Sequence, residues 1–223
     1  MNELSARCAG KFIPKSIEDF IGTNRVERTK SILDGAKSIA VHLEKAVRLS
    51  RQNENAPIKF LFNGVPGIGK SDLARYLQFL TGCDQWSTTK LNGTTCKIEK
   101  VEEIARSLQY KTLFGDYRML WIDEADEIPR LAQVRFLTLL DDSPAGVVVV
   151  CTSNCTLSSF ENRFQTRFQV FEVAAPPIAD IEKLIIRLAP EIPARDAMQI
   201  ANFAGGNVRQ ALLDAQGLLQ AAA

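Results

Sequence analysis

The sequence predicts an α/β protein: a five-stranded parallel sheet flanked by helices, followed by a small all-helical region. Three observations predict it. Between Ile58 and about residue 175, short apolar runs of strand length alternate with stretches of helical periodicity. Parallel strands need such crossovers, and strands buried on both faces read as continuous apolar runs. A glycine-rich turn from Gly64 to Ser71 joins the first strand to the helix after it. Beyond Pro176-Pro177 the strand runs stop and only helical spacing remains.

Taken in order, Lys11 to Phe20 reads as a loop-like opening. Asn24 is placed to cap a helix, with Glu27 three positions on as its reciprocal partner. Val26, Ile32, Leu33, Ala36, Ile39, Ala40, Leu43 and Val47 follow at roughly helical spacing. They predict one long helix to about Leu49, ended by the polar stretch Arg51 to Ala56. Ile58 to Phe62 is apolar and β-favouring, a buried strand. Lys70 to Leu80 and Ile98 to Leu108 carry apolar residues at helical spacing. Arg118 to Ile122 reads as a strand, Leu131 to Leu140 as a helix, and Val147 to Cys151 and Phe168 to Val173 as strands. In the helical region the apolar sets are Ile178, Ile181, Leu184, Ile185, Leu188; then Ala197, Ile200, Ala201; then Val208, Ala211, Leu212, Ala215, Leu218, Leu219. Pro190 and Pro193 separate the first helix from the second, and Gly205-Gly206 the second from the third. The expected division is an α/β core over 1–175 and a helical lid over 176–223.

Composition narrows the function classes. With 46% hydrophobic and 24% charged residues over 223 positions, this is ordinary globular composition, neither disordered nor repetitive. No run of eighteen apolar residues offers a membrane span, and the N-terminus lacks the charged and apolar regions of a secretory signal. The five cysteines (Cys8, Cys83, Cys96, Cys151, Cys155) are odd in number and contain no CxxC pair. They predict reduced thiols, no zinc, and a cytoplasmic or nucleoid- or nucleus-associated protein. A single histidine, His42, excludes His-rich metal clusters. A net charge of +1 gives no bulk attraction to nucleic acid, so any such contact must come from local patches.

Gly64, Val65, Pro66, Gly67, Ile68, Gly69, Lys70 and Ser71 fit the phosphate-loop pattern G-x-x-x-x-G-K-[ST], set between a strand and a helix. The glycines let backbone N–H groups curl around phosphates, and the helix start near Lys70 points its positive end at them. Lys70 reaches the β- and γ-phosphates, and the Ser71 hydroxyl ligates magnesium. Met119-Leu120-Trp121-Ile122-Asp123-Glu124 supplies the second half, an apolar strand closed by two carboxylates. Asp123 can hold the magnesium through water, and Glu124 can polarise the attacking water. Asn154, just beyond a buried strand, either turns the chain or faces the γ-phosphate, as strand-end residues in α/β sheets do. Arg163 and Arg167 precede the last strand, and Arg209 begins the last helix. The bland reading of Arg163 and Arg167 is surface arginines on a short helix, and that of Arg209 a solvated helical arginine.

In this order and at these distances, Gly64 to Ser71, Asp123-Glu124, Asn154, Arg167 and Arg209 resemble the AAA+ ATPases. The resemblance implies ATP and magnesium as ligands, an ATPase, and a homo- or hetero-oligomeric ring. It makes Asn154 the first sensor and Arg209 the second, and Arg167 a finger acting on ATP in a neighbouring subunit. Phe20-Ile21-Gly22 is similar to the family's adenine-packing segment. Asp123-Glu124-Ala125-Asp126-Glu127, Ala132-Gln133, Gln165-Thr166-Arg167 and Gly206-Asn207-Val208-Arg209-Gln210-Ala211-Leu212 resemble the clamp-loader small subunits. That likeness implies DNA replication, with a sliding clamp or another replication protein as partner. DNA contact is then expected at the helix starts near Thr95 and Lys97 and at Arg130. Three features depart from it. Thr166-Arg167-Phe168 stands where clamp loaders have Ser-Arg-Cys, and its Phe is closer to Holliday-junction branch-migration motors. Cys83 and Cys96 cannot supply the four-cysteine module of bacterial clamp loaders. The chain also ends where clamp loaders add a helical collar, so any ring is expected to be held otherwise or to lack that part. The alternatives carried are a branch-migration or helicase-loading motor, and a nucleotide-gated scaffold.

Overall fold

The computed structural model describes residues 2–28, 31–110, 115–155 and 157–221. The chain runs α1 (Glu3–Cys8), β1 (Arg25–Arg28), β2 (Ser31–Gly35), α2 (Ala36–Gln52), β3 (Ile58–Asn63), α3 (Lys70–Thr81), β4 (Thr88–Asn92), α4 (Ile98–Leu108), β5 (Arg118–Asp123) and α5 (Arg130–Asp141). It continues through β6 (Val147–Ser153), α6 (Asn162–Gln165), β7 (Gln169–Ala174), α7 (Ile178–Leu188), α8 (Ala194–Ala204) and α9 (Val208–Ala221).

The apolar runs pair into one sheet in the order β1-β2-β7-β3-β6-β5-β4. From β2 to β4 every neighbouring pair is parallel. Val147 to Ser153 are all buried, as a strand covered on both faces must be. One face packs against α2 and α3 through Ile39, Leu43, Leu73 and Leu77; the other packs against α4 and α5 through Ile104, Phe136 and Leu140. The register aligns the strand ends that matter. Asn63 lies opposite Ser153, and Asn92 opposite Asp123. The residues following β3, β5 and β6 therefore leave the sheet at one edge, the carboxyl ends, where open α/β sheets bind ligands.

Two sequence expectations are corrected. The sheet has seven strands rather than five, because a β1–β2 hairpin, antiparallel within itself, extends the core set β3 to β7 at its β7 side. The long helix expected from Asn24 begins only at Ala36. Residues 25–28 and 31–35 form that hairpin instead, and its Val26 and Ile32 stay 41% and 45% exposed. Their helical spacing was thus not a core-facing stripe. Asn24 does not cap a helix; its Nδ2 donates to the Ala175 carbonyl at 3.1 Å. Gly35, the residue before the helix, passes so close to Gly22 that a Cβ there would lie 2.2 Å from the Gly22 carbonyl oxygen.

The last three helices bury their own apolar cluster, Ile181, Leu184, Ile185, Ala201, Leu212 and Ala215 among them. Leu4 of α1 joins it, so the start of the chain packs with its end. No helix among the described residues is long and apolar enough to cross a membrane. The five cysteines are free thiols, and no group of three or more His, Cys, Asp or Glu among the described residues is placed to hold a metal ion.

Candidate active site

The turn after β3 wraps around the start of α3. Gly64, Gly67 and Gly69 all have positive φ, which lets the loop curl back on itself. Gly67 also packs closely on Asn207: a Cβ there would lie 1.9 Å from Asn207 Oδ1, and that side chain would have to move. Lys70 opens α3 and is only 7% exposed, with Nζ donating to the carbonyls of Gly64 at 2.8 Å and Val65 at 2.7 Å. Burial, with the nearby Arg209 charge second, pushes the Lys70 ammonium down to about 8 against the pull of Asp123 and Asp126. The loop therefore holds a desolvated cation on weak neutral acceptors. A polyphosphate, with its charged oxygens, is a better partner than either carbonyl.

Asp123 ends β5 and Glu124 follows it with φ 54 and ψ 50, a left-handed conformation that costs a non-glycine residue energy and turns the chain sharply. The Thr152 hydroxyl, from the adjacent β6, donates to Asp123 Oδ1. Glu124 Oε2 accepts from Asn92 Nδ2 at 2.6 Å, across from the end of β4. Asn154 follows β6, and its backbone N–H donates to Asp126 Oδ1 at 3.2 Å. Burial alone would raise the Asp126 carboxyl, but hydrogen bonds from Cys155, Ser153 and nearby backbone amides outweigh it and hold the group below its ordinary value.

A cavity of about 490 Å³ collects these groups. Pro66, Gly67, Ile68, Gly69, Lys70, Ser71, Asp123, Glu124, Asn154 and Arg209 line it, as does Ile21 at the end lined by Phe20, Ala36, Leu184 and Leu212. Arg209 comes from α9, and its backbone N–H donates to the Gly67 carbonyl at 3.1 Å. Ser71 and Asp123 offer a hydroxyl and a carboxylate, the hard oxygen donors magnesium takes, in the same cavity as the glycine cradle. The donor set fits that ion.

Other sequence-chosen residues lie elsewhere. Gly64 and Val65 serve the site through their carbonyls rather than by lining it. Gly22 is buried and accepts a hydrogen bond from the Lys37 N–H at 3.1 Å. Arg167 is outside the cavity of its own chain. Its Nε and Nη2 each donate to Asp141 at 3.0 Å, and Nη1 donates to the Arg163 carbonyl and the Thr166 hydroxyl. Lys97 is exposed at the start of α4, and the Thr95 hydroxyl donates to the Asn92 carbonyl at 2.7 Å. Arg130, the first residue of α5, is paired with Glu161 at 2.5 Å.

Sequence reading missed several members. Asn92 and Lys90 reach the acidic pair only through the β4–β5 register, and β4 is a polar edge strand with no apolar run to reveal it. Thr152 arrives from the neighbouring strand. Arg7 and Cys8 line the cavity from α1, whose signal was the Asn2 cap, with Oδ1 accepting from the Ser5 N–H at 2.9 Å, and Glu3 in the first turn.

Comparison with known proteins bears on the same residues. Residues 60–174, just over half of the chain, match the family described as ATPase family associated with various cellular activities (AAA). The Holliday junction branch migration complex subunit RuvB of Nocardia farcinica is 31% identical over 138 residues, covering 61% of this chain and 32% of that protein. The ATP-dependent Clp protease ATP-binding subunit ClpL of Staphylococcus aureus is 26% identical over 167 residues, covering 59% of this chain and 24% of that one. Among solved structures, the Thermotoga maritima RuvB Holliday junction branch migration motor superposes with a TM-score of 0.71 at 18% identity, over 91% of this chain and 63% of that chain. The chain spans roughly a quarter to a third of the length of these curated relatives. A family match over more than half of the chain encloses both the loop and the acidic strand end that converge on one cavity, and the fold agrees with it: this chain belongs to the AAA family of ATPases.

Proposed function

We propose that the chain is the ATP-binding and ATP-hydrolysing module of a ring-forming motor that acts on branched DNA. One observation carries the ATPase part: Lys70, Ser71, Asp123, Glu124, Asn154 and Arg209, spread over some 140 positions of sequence, line a single cavity. The loop amides and Lys70 take the phosphates, and the ammonium exchanges two carbonyls for phosphate oxygens. Ser71 and Asp123 would hold magnesium, which when bound would neutralise charge developing on the phosphates. Glu124, released from Asn92, accepts the proton of the attacking water, and Asn154 orients that water. Arg209, carried on α9, brings the three-helix region down as a lid over the nucleotide. Ile21, beside Phe20 and Leu184, packs on the base, with Gly22 shaping the turn.

Arg167 supports the ring. It sits outside its own cavity, so a role on phosphate requires a neighbouring copy or a related subunit. An arginine supplied in trans contributes on the order of 10³ to 10⁵ in rate. The motor reading is favoured over the clamp loading expected from the sequence by the RuvB relatives, one of which is named as a Holliday junction branch migration motor. Thr166-Arg167-Phe168 points the same way. DNA contact falls to Lys97, Thr95 and Arg130 at the starts of α4 and α5, where backbone amides also favour phosphate. Steady-state ATPase assays test the choice. A four-way junction is expected to stimulate turnover more than duplex or primed single-stranded DNA. Stimulation by primed DNA together with a sliding clamp would restore the loader reading, and indifference to all DNA would favour a scaffold.

A further inference from the structure

Lys90 lies in the middle of the edge strand β4, directly opposite Trp121 of β5. Asp123 is two residues further along β5, on the same face of the sheet. The Lys90 ammonium sits 3.8 Å from the centre of the Trp121 ring and 3.5 Å from Asp123 Oδ2. The other carboxylate oxygen, Oδ1, is taken by the Thr152 hydroxyl. Trp121 is 3% exposed and its indole Nε1 has no hydrogen-bond partner, so it meets the ammonium through its ring face alone. Arg75 lies farther from that ring, at 5.8 Å, and is committed to Asp72 and the Gly10 carbonyl. Among the described residues, no other lysine or arginine forms an ion pair with Asp123.

As a stability device this arrangement is weak, because the Lys90 side chain is 47% exposed and a half-solvated ion pair contributes little. Its position beside one carboxylate oxygen has a sharper effect on cations. An ammonium and a divalent ion cannot both take Oδ2 at contact distance, since their like charges repel at a few ångströms. An aromatic face is a second seat for the ammonium, and tryptophan offers the best one. We propose that Lys90 sets the magnesium requirement of the site by competing for Asp123, with the Trp121 face as the seat onto which the ammonium shifts fully when magnesium takes the carboxylate. This rests on the reading of Asp123 as a magnesium ligand.

The test uses the full chain with the exposed Trp86 changed to Phe, leaving Trp121 as the one tryptophan. Magnesium is titrated at fixed concentration of a non-hydrolysed, ribose-labelled fluorescent ATP analogue, and label fluorescence gives the midpoint. Lys90→Met is expected to lower that midpoint about two- to fivefold, the scale of a half-exposed ion pair. Lys90→Arg is expected to keep it within about twofold, since the charge and the ring contact both survive. Asp123→Asn should raise it whatever Lys90 does. The second readout is Trp121 emission, which should change on adding magnesium with unlabelled analogue and lose most of that change in Lys90→Met. An unaltered or higher midpoint in Lys90→Met, with Asp123→Asn still raising it, overturns the competition and leaves the Asp123 reading standing. No effect of Asp123→Asn overturns both. A full emission change in Lys90→Met removes the ring seat.

Discussion

Lys70 carries a charge its surroundings disfavour. Its folded-state value of about 8 lies below the ordinary 10.5, so burying the charged form costs stability at every pH below about 8. That cost fades as pH rises from 8 toward 10.5, where the unfolded lysine also loses its proton. ATP affinity has the opposite trend, because only the ammonium neutralises phosphate. Affinity is expected to hold below pH 8 and to weaken about tenfold by pH 9, as measured by calorimetric titration. Lys70→Arg, charged throughout this range, should flatten the profile. Lys70→Ala is expected to weaken ATP binding by about 2–3 kcal/mol, roughly 30- to 150-fold in Kd, with an unchanged or raised melting midpoint. Unaltered affinity would contradict the phosphate-loop assignment. Glu124→Gln keeps the shape of the side chain and its reach to Asn92 but cannot accept a proton. It should bind ATP normally and reduce turnover by about 10² or more in single-turnover assays. Lys70, Asp123 and Glu124 were legible in the sequence because their chemistry is packed into contiguous runs. Lys90, Asn92 and Thr152 were not, since strand register alone brings them to the same carboxylates.

At the scale of elements, the strands and helices from β3 onward were readable wherever an apolar run or stripe faces a core. The exceptions have physical reasons. β4 is a polar edge strand, α1 is held by its cap and by packing on α9, and the β1–β2 hairpin exposes the very residues that mimicked a helical stripe. The short α6 and the turn after it fix the position of Arg167, the residue proposed to act in trans. Four donor contacts tie that guanidinium to Asp141, Arg163 and Thr166, and its pairing holds the Asp141 carboxyl below its ordinary value. Arg167→Ala is expected to leave ATP affinity nearly unchanged and to cut hydrolysis at least about 100-fold, since the charge acts mainly on the transition state. Arg163→Ala, which keeps the carbonyl that Arg167 uses, should be milder. The starts of α4 and α5 offer a second test at this scale. Neutralising Lys97 and Arg130 together should weaken DNA binding for every sequence. Because Glu161 already compensates Arg130, the salt slope should fall by about one rather than two. An unchanged slope would place the DNA contact elsewhere.

At the scale of the whole molecule, the proposed trans role of Arg167 requires a second copy to complete each active site. Specific ATPase activity should therefore rise with protein concentration as copies associate, followed by light scattering on the same samples. Mixing Arg167→Ala with Lys70→Ala is expected to restore part of the turnover, because one variant binds ATP and the other supplies an intact arginine. Full activity in Arg167→Ala, or constant specific activity in a protein that stays monomeric, would remove the trans role. The sheet order has a further consequence, and it concerns synthesis rather than catalysis. β3 lies between β6 and β7, with Ile58 opposite Val148 and Phe60 opposite Gln169. The strand that supports the phosphate loop thus leaves the ribosome first of the core strands β3 to β7 and waits for both neighbours until nearly all the α/β region has been translated. Loop closures of that length are slow, and an unpaired apolar strand is a hazard while it waits. The β3 strand under the nucleotide cradle gains both of its sheet neighbours only once β7 has emerged.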